Sequence, residues 1–177
     1  NDTTFIDLTN MIFTLITMQD HKEYTSFTAL THEAYKMIES FMKNHSLLFI
    51  RSLEPTLVIK MIETTLLGLL TENENKGSCC NALKDLITNI YSYRNKLKSN
   101  IEALLNVEGT IFMQILKTLL TTVIYEEHKI IWVFQKPLFP TIVINGKENY
   151  EAVKQEILQN EPNDELRSKI QEELNLL

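Results

Sequence analysis

The chain has 177 residues, 44% of them hydrophobic, with 17 basic and 23 acidic side chains and a formal net charge of −6. That balance argues against nucleic acid as the main partner, because phosphate binding needs a basic stripe, and it permits a basic protein partner. Four glycines and four prolines are too few for a loop-rich or all-β chain. Helical spacing recurs throughout, so the expected fold class is all-α.

In chain order, residues 2–17 carry Phe5, Leu8, Ile12, Leu15 and Ile16 at the spacing of an amphipathic helix. A polar stretch around Asp20 and His21 follows. A second helix is expected over residues 26–43, with Leu30, Ala34, Met37, Ile38, Phe41 and Met42 as its apolar stripe. His45 and Ser46 break it, and residues 47–53 add one or two further turns.

Pro55 opens the next helix, because a missing N–H is harmless in the first turn. Val58, Ile62, Leu66 and Leu70 form its stripe, widened by Ile59, Leu67 and Leu69. A polar turn over residues 72–77 leads to Ser78 as the expected N-cap of a return helix carrying Cys80, Leu83, Ile87, Ile90 and Tyr91. The two stripes are expected to face each other as an αα-hairpin.

Residues 98–108 read as a connection, helical in part through Ile101, Leu104 and Leu105. A second hairpin follows. Residues 111–125 carry Phe112, Ile115, Leu116, Leu119, Leu120 and Val123, and residues 126–129 form the turn. Residues 130–144 return with Trp132, and Pro137 and Pro140 are expected to kink or split that helix and to be soft points. Asn145-Gly146 suits a left-handed helix end. A more polar last hairpin has Tyr150, Val153 and Ile157 on one helix and Leu166, Ile170 and Leu174 on the other, restarted at Pro162.

Helix pairs are thus expected at residues 2–53, 55–97, 110–145 and 147–177. Recurrence at about 40–47 residues is the signature of HEAT and armadillo repeats. One such pair cannot bury its apolar face alone and must stack on its neighbours. The expected architecture is therefore a HEAT-repeat α-solenoid of stacked antiparallel pairs, with a four-helix bundle as the competing arrangement. Beginning without Met and ending inside a helical pattern, the chain reads as one segment of a longer one.

The search for chemistry yields no catalytic, cofactor-binding or metal-ligating residue. His32-Glu33 begins like a zinc-protease motif, but Lys36 stands where the second histidine is required. Cys79 and Cys80 are adjacent, too few for a disulfide framework and too few for a metal site, and are expected to be reduced packing residues. Glu126, Glu127 and His128 read as a solvated turn. The glycines, at 68, 77, 109 and 146, build no phosphate loop. Phe5, Phe41, Phe112 and Trp132 fall on apolar stripes, where core packing is the default. Asn1 and Asn44 head Asn-x-Ser/Thr triplets that read as unmodified. The most apolar segment, 130–144, is interrupted and too short to span a bilayer, so no membrane partner is expected.

From about residue 30 onward the chain resembles a known family. The residues that carry the resemblance are Tyr35 through Phe41, His45, Phe49-Ile50, Ser52-Leu53-Glu54-Pro55, Gly68-Leu69, Cys79-Cys80, Leu83, Asp85 and Ile90. It resumes in Met113-Gln114, Leu116, Thr122-Val123, Tyr125-Glu126-Glu127, Trp132, Lys136-Pro137-Leu138 and Ile142, then in Tyr150 and Gln159-Asn160-Glu161-Pro162. These resemble the C-terminal repeats of exportins of the Ran-binding-protein type, in the karyopherin-β superfamily. The connection 98–108 is shorter than in animal members, and Pro140 adds a second proline to its helix.

The resemblance implies a nuclear transport receptor that carries protein cargo through the nuclear pore under control of Ran-GTP. Such a receptor is not an enzyme, meets nuclear pore proteins, and shuttles between nucleus and cytoplasm. Its main Ran-binding surface lies in N-terminal repeats, so no Ran-contact residue is transferred to this chain. A static HEAT-repeat scaffold without Ran dependence is the alternative.

Overall fold

The computed structural model describes residues 2–18, 28–70, 75–125 and 131–175, and all regular structure within them is α-helical. The helices are α1 (Asp2–Met18), α2 (Thr28–Ser52), α3 (Pro55–Leu70), α4 (Lys76–Ser92), α5 (Lys98–Val107), α6 (Ile111–Tyr125), α7 (Ile131–Asn160) and α8 (Asp164–Leu174). The packing is that of an α-solenoid: helices stack laterally on near neighbours in sequence, without closing into a bundle around one central axis.

The direction of stacking can be read from three side-chain hydrogen bonds. His32 Nδ1 meets Asn75 Oδ1 at 2.8 Å, Asn81 Nδ2 donates to Glu39 Oε1 at 2.8 Å, and Asn89 Nδ2 donates to Ser46 Oγ at 2.7 Å. The contacts climb both helices together, so α2 and α4 run parallel. The first half of α7 lies against the other side of α4, with Lys136 close enough to act on the Cys80 thiol. Helices α2, α4 and early α7 thus form one layer. Helices α1, α3 and α6 form the other, α3 packing on both of its neighbours there.

Helix α4 packs more extensively on α2 and α7 than on its hairpin partner α3. The expectation of two stripes facing each other therefore needs correction, since lateral stacking dominates. The physical reason shows in the burial. Helix α4 buries Cys79, Cys80, Ala82, Leu83, Leu86, Ile87 and Ile90, a band too wide for one neighbour. Helix α3 buries a wide band that includes Met61, Thr64, Thr65 and Gly68, while the expected stripe residues Leu67 and Leu70 fall on its one exposed stripe with Thr56, Lys60 and Glu63. Its threonines are tolerated because each hydroxyl donates within the helix, Thr64 to the Lys60 carbonyl at 2.8 Å and Thr65 to the Met61 carbonyl at 2.7 Å.

Other expectations also shift. On α1, Leu8 is exposed and Phe13 is the buried anchor, its ring edge-on to Phe41 at 5.0 Å and Phe49 at 5.7 Å. Helix α4 begins at Lys76, with Asn75 before it and no side-chain cap, so Ser78 already lies inside the helix. Tyr91 and Leu166, expected in the core, are partly exposed. Residues 98–107 form a full helix, bent by 77° from α6. Residues 71–74 and 126–130, which hold part of the first expected turn and all of the second, and the side chains of Phe5, Leu15, Leu30 and Trp132 lie outside the described residues.

Two helices contain a break. In α2 it is His45 (φ −136°, ψ 15°), where the sequence places it. In α7 the helical backbone continues through Pro137 and Pro140, and the departure comes at Gly146 (φ 74°, ψ 173°). The prolines therefore do not split the helix. The Thr141 hydroxyl, buried beside them, donates to the Pro137 carbonyl at 2.7 Å. Gly146 is also not a left-handed cap: this ψ belongs to an extended region open essentially to glycine alone.

Candidate functional site

Among the described residues, the side chains that the sequence singles out for chemistry are engaged in structural contacts. The His32 ring is spent on Asn75, and Glu33 pairs with Lys36 at 3.3 Å on the exposed side of α2. His45 stacks at an angle on Phe41, ring centres 5.3 Å apart. His21, Glu126, Glu127 and His128 lie outside the described residues. Among the described residues no three His, Cys, Asp or Glu side chains cluster as metal ligands would. No single helix there is long and apolar enough to cross a membrane.

Cys79 and Cys80 are free thiols, exposed by 1% and 0%. Burial pushes the Cys80 thiol up to about 12, against an opposing pull from Lys136 and Lys76. Burial pushes Cys79 up further, aided by Cys80 and Glu39. Thiols kept protonated are poor nucleophiles and poor ligands. Cys79 Sγ packs instead where α3 crosses α2 and α4. An added Cβ on Gly68 would stand 2.5 Å from that sulfur and 2.6 Å from Tyr35 Cζ. Tyr35 is held by its hydroxyl, which donates to the Thr64 carbonyl at 3.2 Å.

The α2–α4 ladder was not anticipated from the sequence. Its signal is nonetheless there, since His32, Glu39 and Ser46 recur every seven residues, two helical turns apart, on the side that faces a neighbour. Each rung adds about 1 kcal/mol at most. Its larger effect is on register, because slipping α2 along α4 would leave partly buried polar atoms unpaired.

A second polar assembly joins α6, α7 and α8. Lys117 Nζ pairs with Glu156 at 2.6 Å, and the Tyr125 hydroxyl donates to Glu161 at 2.7 Å. The Asn163 N–H also donates to Glu161, at 3.0 Å, while the Asn163 side chain caps α8 through the N–H groups of Glu165 and Leu166. Arg167 closes the junction by donating to the Glu161 carbonyl through Nε (3.0 Å) and Nη2. The Asn163 N–H, then the Tyr125 hydroxyl and Arg167, hold the Glu161 carboxyl below the usual range.

An open groove of about 390 Å³ lies beside the Gly146 break, lined by Ile142, Val143, Tyr150, Lys154 and Leu174 among others. Its polar groups are engaged: the Tyr150 hydroxyl donates to the Leu174 carbonyl at 2.6 Å, and Lys154 Nζ reaches Asn175 Oδ1 at 2.6 Å and Glu151 at 3.3 Å. These contacts satisfy the C-terminal end of α8. The arrangement offers surface for contact and no converging set of reactive groups.

The molecule described so far is an α-solenoid built from stacking and capping, the class whose members act through extended surfaces. Comparison with known proteins agrees at a distance. The chain is 22% identical over 142 residues to Ran-binding protein 17 of Mus musculus. It is 23% identical over 143 residues to Ran-binding protein 17 of Homo sapiens. Each match covers 72% of this chain and 13% of the relative, so the chain spans only a small part of either. No protein-family model and no solved structure matches it.

Proposed function

We propose that this chain is a segment of HEAT repeats from a nuclear transport receptor of the exportin class, corresponding to the C-terminal repeats of such a receptor. The similarity to Ran-binding protein 17 over most of the chain, on an α-solenoid, is the observation that carries the reading. The residue pattern around Leu53-Glu54-Pro55, Cys79-Cys80 and Lys136-Pro137-Leu138 resembles that of exportin seven, and in this reading the chain is a divergent relative of it.

In this reading the helix pairs 2–53, 55–97, 110–145 and 147–177 are the repeats, and α5 is inserted between the second and third. The receptor binds Ran-GTP mainly through other repeats, carries protein cargo, meets nuclear pore proteins, and shuttles between nucleus and cytoplasm. It catalyses nothing. The mechanism is elastic: neighbour-only contacts let small changes between repeats add up along a solenoid. Two partners that favour different curvatures are then coupled through that equilibrium.

The test is capture of the parent full-length protein on immobilised Ran loaded with GTP or with GDP. Selective capture by the GTP form supports the receptor. Equal capture by both, or none by either, removes it and leaves a static scaffold.

A further inference from the structure

We propose that the corner where α4 passes into α5 is a docking surface for an acidic segment of a partner protein. The chain is acidic overall, yet no Asp or Glu occurs from Leu86 to Ile101, while Arg94, Lys96 and Lys98 occupy alternate positions within that stretch. Residues 91–96 are all exposed, including the rings of Tyr91 and Tyr93, each 38% accessible.

The charge on this corner is organised and only loosely neutralised. The Arg94 guanidinium lies over the Tyr91 ring, 4.5 Å from its centre, and Nη1 donates to the Tyr91 carbonyl at 2.8 Å. Those contacts hold the group in place and use one of its five N–H donors. Among the described residues neither Arg94 nor Lys96 has a carboxylate within ion-pair distance, and Lys98 approaches Glu102 only to 4.0 Å. Stabilisation of the α4 C-terminus accounts for Arg94 alone. Lys96 lies beyond that helix. Lys98 opens α5, whose first turn contains no acid, and a cation there works against the helix dipole.

An acidic peptide segment fits this corner better than a nucleic acid does. The cations span a single corner of a chain with net charge −6, so a long polyanion would be repelled by the remaining faces. A short run of carboxylates can engage Arg94 through two parallel hydrogen bonds and the lysines as point charges. An aromatic or aliphatic residue within that run packs on the exposed Tyr93 ring.

The test uses the chain itself and a fluorescent peptide repeating Glu-Asp-Phe-Glu, with a Lys-Arg-Phe-Lys peptide and oligouridylate as controls. The acidic peptide is expected to bind saturably and to weaken as salt rises from low to physiological strength. The R94E/K96E double variant is expected to lose about tenfold or more in affinity, and Tyr93→Ala about threefold, with the helical circular dichroism unchanged. If the charge reversal disturbs that signal, R94Q/K96Q replaces it with the same expected direction. Absence of saturable binding, unchanged affinity in the charge variant, or tighter binding of oligouridylate than of the acidic peptide would each overturn the proposal.

Discussion

Gly68 and Gly146 occupy the two regions in which this solenoid differs most from itself, and they are required for opposite reasons. Gly68 lies inside a regular helix with ordinary backbone angles. What it lacks is room, because the Cys79 sulfur and the Tyr35 ring fill the place of a side chain. Gly146 has nothing within 4 Å of where a Cβ would be, and its constraint is the backbone itself, at φ 74° and ψ 173°. The first region is a dry crossing of three helices, held by shape. The second is a solvent-washed break, held by hydrogen bonds at helix ends. A solenoid needs both, since tight crossings pass strain between helices and breaks set the direction in which the chain continues.

Substitution at the two glycines is the most direct way to break this contrast, and it carries the largest expected effect. Gly68→Ala should destabilise by about 1–3 kcal/mol through overpacking. A second change that makes room, Cys79→Ala, should recover part of that loss. Gly146→Ala should also cost about 1–3 kcal/mol, but through backbone strain, and no neighbouring truncation should rescue it. Gly146→Asn sharpens the point: asparagine tolerates the left-handed helical region but not this one, so a stable Asn variant in denaturant melts would mean the break is an ordinary cap.

A smaller effect is expected at the α7–α8 junction. Asn163→Ala removes the side-chain cap of α8 and should cost about 1 kcal/mol. The loss should appear as faster amide exchange in α8 with little change in α3 or α4. Uniform loosening of all helices would show that the junction is not a separate unit.

The pH response of the same junction has a definite sign. Folding lowers the Glu161 pKa, because the Asn163 N–H, the Tyr125 hydroxyl and Arg167 favour the carboxylate. The unfolded chain then binds the proton more readily, so this contribution is present above the ordinary glutamate pKa and is lost as pH falls through the lower folded value. Thermal melts of Glu161→Gln and the parent chain should differ near neutral pH and converge in acid. A constant offset at all pH values would place the effect of the substitution elsewhere.

The smallest expected signal lies back at the tight crossing. Both thiols are fully covered and have raised pKa values. Alkylation at neutral pH should therefore be negligible in the folded chain and complete in denaturant, by mass spectrometry. Rapid modification of folded protein would mean that the crossing opens readily.

Much of the fold was legible before any coordinates. The spacing around Ile38, Ile62, Leu83 and Leu116 marks helices, Pro55 marks a start, and His45 marks a break. Periodicity assigns an element and one face, but it does not report how many neighbours that element has. For that reason Met61, Thr64 and Thr65 escaped the predicted core while Leu67 and Leu70 were placed in it. Pro137 was read as a helix breaker because local propensity says so, and packing overrode it. The basic run from Arg94 to Lys98 is visible in the sequence, but its exposure is not.

Sequence alone determined that this chain is helical, acidic and repetitive, since those properties follow from local spacing and composition. Only the tertiary structure decided that α4 stacks chiefly on α2 and α7, that the long helix turns at Gly146, and that the cysteines are closed off. Those outcomes depend on contacts between residues distant in sequence, such as His32 with Asn75 and Asn145 with Phe112. Lateral packing of wide apolar bands, and the pairing of the polar groups caught between them, settle such contacts, and neither is a property of any one helix.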